Sequence, residues 1–253
     1  MDKEAIIRNF SRYAYTYDRY ANVQKYVATQ LLSLLKEDGI NKILEIGCGT
    51  GNYTLLLREK FSNAELKAID ISARMIEVAS KKTQNKRIAL IVDDAESINL
   101  DEEFDLITSN ACFQWFDDLG RALIKYKNLL KKNGIILFSI FGPDTFWELN
   151  VSLKRIFGDV STGAANFAAQ EELSQILKDN FRKQELREAR CEETFSCLRG
   201  LLNKIKYTGI RGGGLSAKIF LTPGLLKKLE GIYLHKFQHI KATYQIFFCK
   251  AFI

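Results

Sequence analysis

At 253 residues the chain can bury the core of one α/β domain with an insertion, and its apolar (47%) and charged (26%) contents are those of an ordinary globular protein. Residues 135–141, the longest dense apolar run, fall far short of a bilayer span, and Met1-Asp2-Lys3-Glu4 lacks signal-peptide layout, so a cytoplasmic protein without membrane contact is expected. The net charge of +7 is concentrated in one late segment, and five cysteines (48, 112, 191, 197, 249) with no C-x-x-C pair or metal spacing fit buried thiols in a reducing compartment.

Residues 5–21 carry Phe10, Tyr13, Tyr15, Tyr17 and Tyr20 among Arg8, Arg12, Asp18 and Arg19, which predicts an amphipathic flap over a ligand. Val23, Val27, Leu31, Leu34 and Leu35 then share one face of a helix over 22–35, ended by Asp38-Gly39. From Lys42 to Phe141 the pattern alternates. Strands are expected at 42–46, 65–69, 88–92, 104–109 and 135–141, with helices at 52–60, 72–83 (Ser72 as N-cap) and 117–131. Short apolar strands alternating with helices predict a parallel sheet covered on both faces, with ligands at the carboxyl ends of the strands. Glu45 to Gly51, Asp70, Asp94 and Ser109-Asn110 all fall at such ends.

The first strand leads into Ile43-Leu44-Glu45-Ile46-Gly47-Cys48-Gly49-Thr50-Gly51. Glycines there let a ligand approach the backbone, and the helix that follows offers unpaired N–H groups. Asp70, closing the second strand, can accept both hydroxyls of a ribose. Two nucleoside ligands compete for such a site. Dinucleotide sites use G-x-G-x-x-G with a pyrophosphate over the helix start. Here the spacing is G-x-G-x-G, and Glu45 two residues earlier repels phosphate but suits an ammonium. A ribose joined to a cationic amino-acid head describes S-adenosylmethionine, and the string resembles motif I of the class I S-adenosylmethionine-dependent methyltransferases. Asp94 can accept the adenine amine, and Gln114 and Trp115, after the fourth strand, can shape the acceptor side.

Beyond Pro143, helices are expected at 144–157 and 169–179, then a strand at 183–195 and a last strand at 242–253. The 196–241 stretch between those strands is too long for a hairpin loop and reads as helices at 197–207 and 223–238 around Gly212-Gly213-Gly214. From Arg199 to Lys241 there are nine Lys or Arg and one acid, Glu230, a field that implies an acidic partner: nucleic acid, anionic lipid or protein. His235 and His239 have an i, i+4 metal spacing, but no glutamate lies between them and no third ligand is evident, so no metal is expected.

Blocks outside the cofactor motif resemble the malonyl-[acyl-carrier-protein] O-methyltransferases of biotin biosynthesis. They are Phe10-Ser11-Arg12 with Tyr17 through Gln24, Ser109-Asn110 with Gln114-Trp115, Phe138 through Leu149, Leu202-Lys204-Lys206-Thr208-Gly209, and Ala242-Thr243-Tyr244. The resemblance implies a single Rossmann-like α/β domain over 1–253, a seven-stranded, mostly parallel sheet with helices on both faces and a helical insertion before the last strand. Residues 1–36 would be a helical flap, 42–141 the cofactor core and 196–241 a basic acceptor-side insertion. It implies S-adenosylmethionine contacts from Glu45, Gly47, Gly49, Gly51, Asp70, Asp94 and Asn110, and a malonyl group delivered by an acidic acyl-carrier protein or as malonyl-coenzyme A. Arg199 and Arg211 are candidates for the malonyl carboxylate, which a guanidinium pairs bidentately, and Lys204 and Lys206 for the carrier surface. The acceptor is already ionised at neutral pH, so no general base is expected. A quinone or another carboxylic acid would keep the same cofactor site; a nucleic-acid acceptor is disfavoured, since the basic stretch has neither a zinc-ligand cluster nor an RNA-binding signature.

Overall fold

The structure, a computed structural model, describes residues 2–209 and 222–253. Its strands are β1 (Lys42–Ile46), β2 (Glu65–Asp70), β3 (Ile88–Val92), β4 (Phe104–Asn110), β5 (Leu130–Phe141), β6 (Lys183–Phe195) and β7 (Ile240–Phe252). They form one sheet in the order β3-β2-β1-β4-β5-β7-β6. The first five run parallel, and β7 lies antiparallel between β5 and β6. The order reverses between β1 and β4, so the carboxyl ends of those strands open onto the switch-point crevice where such sheets bind ligands.

Nine helices stand among the described residues: α1 (Lys3–Tyr13), α2 (Asn22–Ser33), α3 (Asn52–Lys60), α4 (Ala73–Lys82), α5 (Leu119–Lys127), α6 (Trp147–Phe157), α7 (Gln170–Asn180), α8 (Leu198–Tyr207) and α9 (Pro223–Phe237). Val27 of α2, Leu57 of α3, Leu153 of α6, Leu201 of α8 and Tyr233 of α9 join one apolar layer, and Leu123 of α5 and Leu177 of α7 join the other. Burial on both faces explains why Ile43, Leu44 and Ile46 of β1 are all apolar instead of alternating with polar residues, Glu45 being the one buried acid among them. Ser72 caps α4 by accepting from Met75 N, as its position predicts.

Three boundaries differ from expectation, each for a tertiary reason. The helix expected to reach residue 131 stops at Lys127, because Leu130 pairs with Phe104 and Lys131 with the Asp105 carboxylate, extending β5 backward. The helix expected from Asp144 begins at Trp147, because Asp144 N donates to Gln245 Oε1 and Phe146 N to Thr243 O. α9 ends at Phe237, where Gln238 turns left-handed (φ +64°), so His239 leaves the helix and shares no helical face with His235. Arg211 and Gly212–Gly214 lie outside the described residues.

Candidate functional site

The turn after β1 is held by three backbone amides. Gly47 N and Cys48 N both donate to Ile69 O, at 2.8 and 2.9 Å, and Gly49 N donates to Asp70 Oδ2 at 2.8 Å. A side chain at Gly47 (φ +70°) would collide with Cys112, whereas Gly49 (φ +54°) faces open space. Gly51 caps α3 and lies against Ala79, away from that space. Asp70 also accepts from Ser72 N at 2.8 Å, so each carboxylate oxygen braces one amide and keeps a lone pair for a ligand. Burial pushes its carboxyl up to about 6, against the pull of those two bonds.

Two clefts meet at the turn. The larger, about 760 Å³, is walled by Phe10, Asp70, Met75, Asp94 and Trp115. The smaller, about 380 Å³, is walled by Gln24, Glu45, Thr50, Asn52 and Tyr53. Tyr17, Gly47, Gly49 and Asn110 border both. Asn110 is fixed there by donating to Gln24 O at 3.1 Å and accepting from Ser139 Oγ at 2.9 Å.

The polar chemistry of the smaller cleft is unusual. Glu45 is 1% exposed, and among the described residues neither its Oε2 nor Gln24 Oε1 has a hydrogen-bond partner. Burial pushes the Glu45 carboxyl up to about 8, with a smaller downward pull from Thr54 and an upward push from the Asp70 charge. Unpaired buried acceptors are costly unless something donates to them. Two such oxygens beside an open glycine turn fit an ammonium group, which donates three hydrogen bonds and restores the Glu45 charge. The acid–ammonium pairing expected from the sequence rests on Glu45 alone, and Gln24 is a second buried acceptor that it did not include. Its signal was present: Gln24 sits on the buried stripe of α2 with Val27, Ala28 and Leu31, a polar residue on an apolar face.

At the far rim of the larger cleft, Asp94 accepts from Lys3 Nζ at 2.7 Å and from Glu96 N at 3.0 Å, tying down the first turn of α1. The rest of α1 roofs the cleft with Ile6 and Phe10, whereas α2 packs on β4, β5 and α3 as part of the sheet's covering layer. The expected 1–36 flap is therefore two units with different roles. Between them the Tyr17–Arg19 turn is pinned by Asp18, which accepts from Thr50 Oγ1 at 2.6 Å and Asn52 Nδ2 at 2.8 Å and pairs with Lys82.

Trp115 lies on the cleft wall, edge-on to Phe10 (5.9 Å) and Phe167 (5.4 Å). Gln114 is buried, donates to Ala111 O at 2.7 Å and is not part of that wall. Cys112 lines the cleft as a neutral thiol, since burial and the Asp70 charge push its pKa up. Arg199 is exposed on α8, outside both clefts. Lys204 corrects the sequence reading: it is 3% exposed and bound to both oxygens of Glu193, at 2.8 and 2.9 Å, so it offers nothing to a partner surface. Lys241 likewise pairs with Glu192 at 2.9 Å. Both acids lie on β6, just before the basic 199–241 segment.

Comparison with known proteins places this geometry in context. Residues 44–138 match the family model described as a methyltransferase domain. The chain is 36% identical over 235 residues to malonyl-[acyl-carrier protein] O-methyltransferase 2 of Ilyobacter polytropus, covering 92% of this chain and 90% of that one. It is 43% identical over 187 residues to malonyl-[acyl-carrier protein] O-methyltransferase of Priestia megaterium, covering 70% and 68%. Among solved structures, YcgJ of Bacillus subtilis superposes with a TM-score of 0.63 at 17% identity, covering 90% of this chain and 97% of that one. An S-adenosylmethionine-dependent methyltransferase of Thermotoga maritima does so with 0.57 at 19% identity, covering 98% and 99%. At those identities the structural likeness speaks to the fold alone.

Proposed function

The chain belongs to the malonyl-[acyl-carrier protein] O-methyltransferases, and from that premise we propose how its two clefts perform the reaction. The enzyme transfers a methyl group from S-adenosylmethionine to the free carboxylate of a malonyl thioester on acyl-carrier protein, giving the methyl ester from which the pimeloyl chain of biotin is begun. When bound, S-adenosylmethionine supplies an electrophilic methyl on a positively charged sulfur. Glu45 and Gln24 would receive its ammonium, the Gly47–Gly49 turn would let the ligand approach the backbone, and Asp70 would accept the ribose hydroxyls. Asp94 lies at the adenine end. The orphaned acceptor pair in the smaller cleft is the single observation that carries this orientation.

Tyr17 and Asn110 border both clefts, so they would stand beside the reacting methyl if the amino-acid head took one cleft and the nucleoside the other. Burial pushes the Tyr17 phenol above its ordinary range, so it stays a neutral O–H and an aromatic face. Phe10 and Trp115 exclude water on the acceptor side. A malonyl carboxylate, with a pKa of about 4, arrives ionised, so no residue needs to remove a proton. An anion and a cation combine through a less charged transition state, and a dry apolar enclosure favours that state over the separated ions. Alignment supplies part of the roughly 7–11 kcal/mol available from proximity. The acidic carrier is drawn to the basic α8–α9 side, and the enzyme works in the cytoplasm, where its carrier and cofactor are made.

Transfer of labelled methyl to malonyl-carrier protein, malonyl-coenzyme A, a quinone precursor and RNA, assayed in parallel, tests the reading. Label should enter a base-labile ester on the malonyl substrates. Transfer to the quinone precursor or RNA alone would overturn it.

A further inference from the structure

The end of α8 is joined to the flap by a cluster of tyrosines. Tyr207 meets Tyr13 edge-on at 5.0 Å and stacks on Tyr20 at 4.5 Å, with an interplanar angle of 21°. Two residues further on, Gly209 (φ +69°) approaches the Phe10 ring so closely that a side chain there would collide with it. Phe10 is itself a wall of the larger cleft and lies one helical turn before Tyr13. This seam therefore lies directly over the acceptor side of the site.

One cation lies against the seam, and two more are chain neighbours of its tyrosines. Lys206 Nζ lies 5.4 Å from the Tyr207 ring centre and 5.9 Å from that of Tyr13. Arg12 and Arg19 are the chain neighbours of Tyr13 and Tyr20. All three are exposed, and among the described residues none forms an ion pair. The acids nearest in sequence are engaged elsewhere: Asp18 with Lys82, Thr50 and Asn52, and Glu4 with Arg8. A positive group left unneutralised beside an entry to a carboxylate-methylating site calls for an anion that arrives with the substrate. The thioester arm of an acyl carrier has one, the phosphodiester that joins it to the protein. Guanidinium and ammonium donors match phosphate oxygens, and tyrosine faces suit the arm's uncharged middle.

We propose that Lys206, lying over the Tyr13 and Tyr207 rings, together with Arg12 and Arg19, the chain neighbours of Tyr13 and Tyr20, binds the phosphate of the phosphopantetheine arm that carries the malonyl group into the cleft. The inference rests on the function proposed above and moves the docking point from the 196–241 segment as a whole to the junction of α1 and α8. The test compares malonyl-pantetheine, malonyl-phosphopantetheine and malonyl-carrier protein as acceptors for the wild type and for the Arg12→Gln, Arg19→Gln, Lys206→Gln triple variant. The wild type should show a KM about tenfold lower for the phosphorylated arm than for malonyl-pantetheine, a preference that weakens with added salt and falls toward unity in the variant. A wild type with no preference, or a variant that keeps it, overturns the assignment. A variant that loses affinity for the carrier protein but retains the small-molecule preference does so too, and assigns the cations to the carrier's acidic surface. If the wild type methylates none of the three, the functional reading fails, and this inference falls with it.

Discussion

Glu45 gives the sharpest prediction, because one substitution should move ligand affinity and stability in opposite directions. With its carboxyl pushed up to about 8, Glu45 is about nine-tenths protonated at pH 7 in the ligand-free protein. An ammonium placed against it favours the carboxylate, so binding at pH 7 should expel about 0.9 of a proton and cost about 1.4 kcal/mol relative to an already ionised site. Affinity should therefore rise about tenfold from pH 6 to 7 and level off near 8, where the ligand's own α-amino group begins to lose its proton. Titration calorimetry at pH 7 in buffers of different ionisation enthalpy reads the proton count directly from the slope. In Glu45→Gln the slope should vanish and affinity fall by tenfold or more. Stability runs the other way. Between the unfolded value of about 4.3 and the folded value of about 8, the native state holds a proton that the unfolded chain has lost. Ligand-free stability should thus fall as pH rises through that window, by up to about 1.4 kcal/mol per unit, and Glu45→Gln should abolish this component. Buffer-independent heats in the wild type, or wild-type affinity in the Gln variant, would refute the ammonium assignment.

Other expectations follow from the same geometry. Gly47→Ala should destabilise the fold severely through its collision with Cys112, whereas Gly49→Ala should cost only about 1–2 kcal/mol of left-handed backbone strain yet weaken S-adenosylmethionine binding more than tenfold. Melting curves and calorimetry on the two variants should separate, and equal melting losses would refute the division. Lys204→Glu should lower the melting temperature, by up to about 3 kcal/mol of stability, and adding Glu193→Lys should recover part of it; wild-type melting of the single variant would refute the buried pair. The His235→Gln, His239→Gln double variant should keep activity within about tenfold, and a loss of three decades in a folded protein would expose a missed base or metal.

The layout of the core was legible because it is written in local signals. A strand of four buried residues between two helical layers can only be a run such as Ile43-Leu44-Glu45-Ile46, and an N-cap such as Ser72 marks its helix one residue ahead. What was not legible depended on distant partners. No local rule says that Asp144 N will be claimed by Gln245, about a hundred residues away in sequence, or that Leu130 will continue a strand beside Phe104 when its neighbours read as helix. The same holds within the site. Asp70 and Glu45 stand out as candidates by position, but Gln24, the second proposed acceptor, becomes a candidate only once α2 is laid across β4.

The basic insertion shows why charge summed along a chain misleads where charge in space does not. Nine cations to one acid over 199–241 suggested an open positive surface, with Lys204 among its members. Yet α8 packs against a strand that ends just before this segment, and Glu192 and Glu193 of that strand neutralise Lys241 and Lys204. Ion pairs within a hairpin-like insertion cross from one flank to the other, so a window drawn around the insertion alone must overstate its field. Among the described residues, Arg12 and Arg19, before the first strand, and Lys206, near the last, form no ion pair, and their elements, far apart in sequence, are joined where Tyr13, Tyr20 and Tyr207 pack together. Recognition of an acidic substrate by this fold is then a property of the contact between flap and insertion, and a variant that opens the tyrosine seam should lose it even with every charge in place.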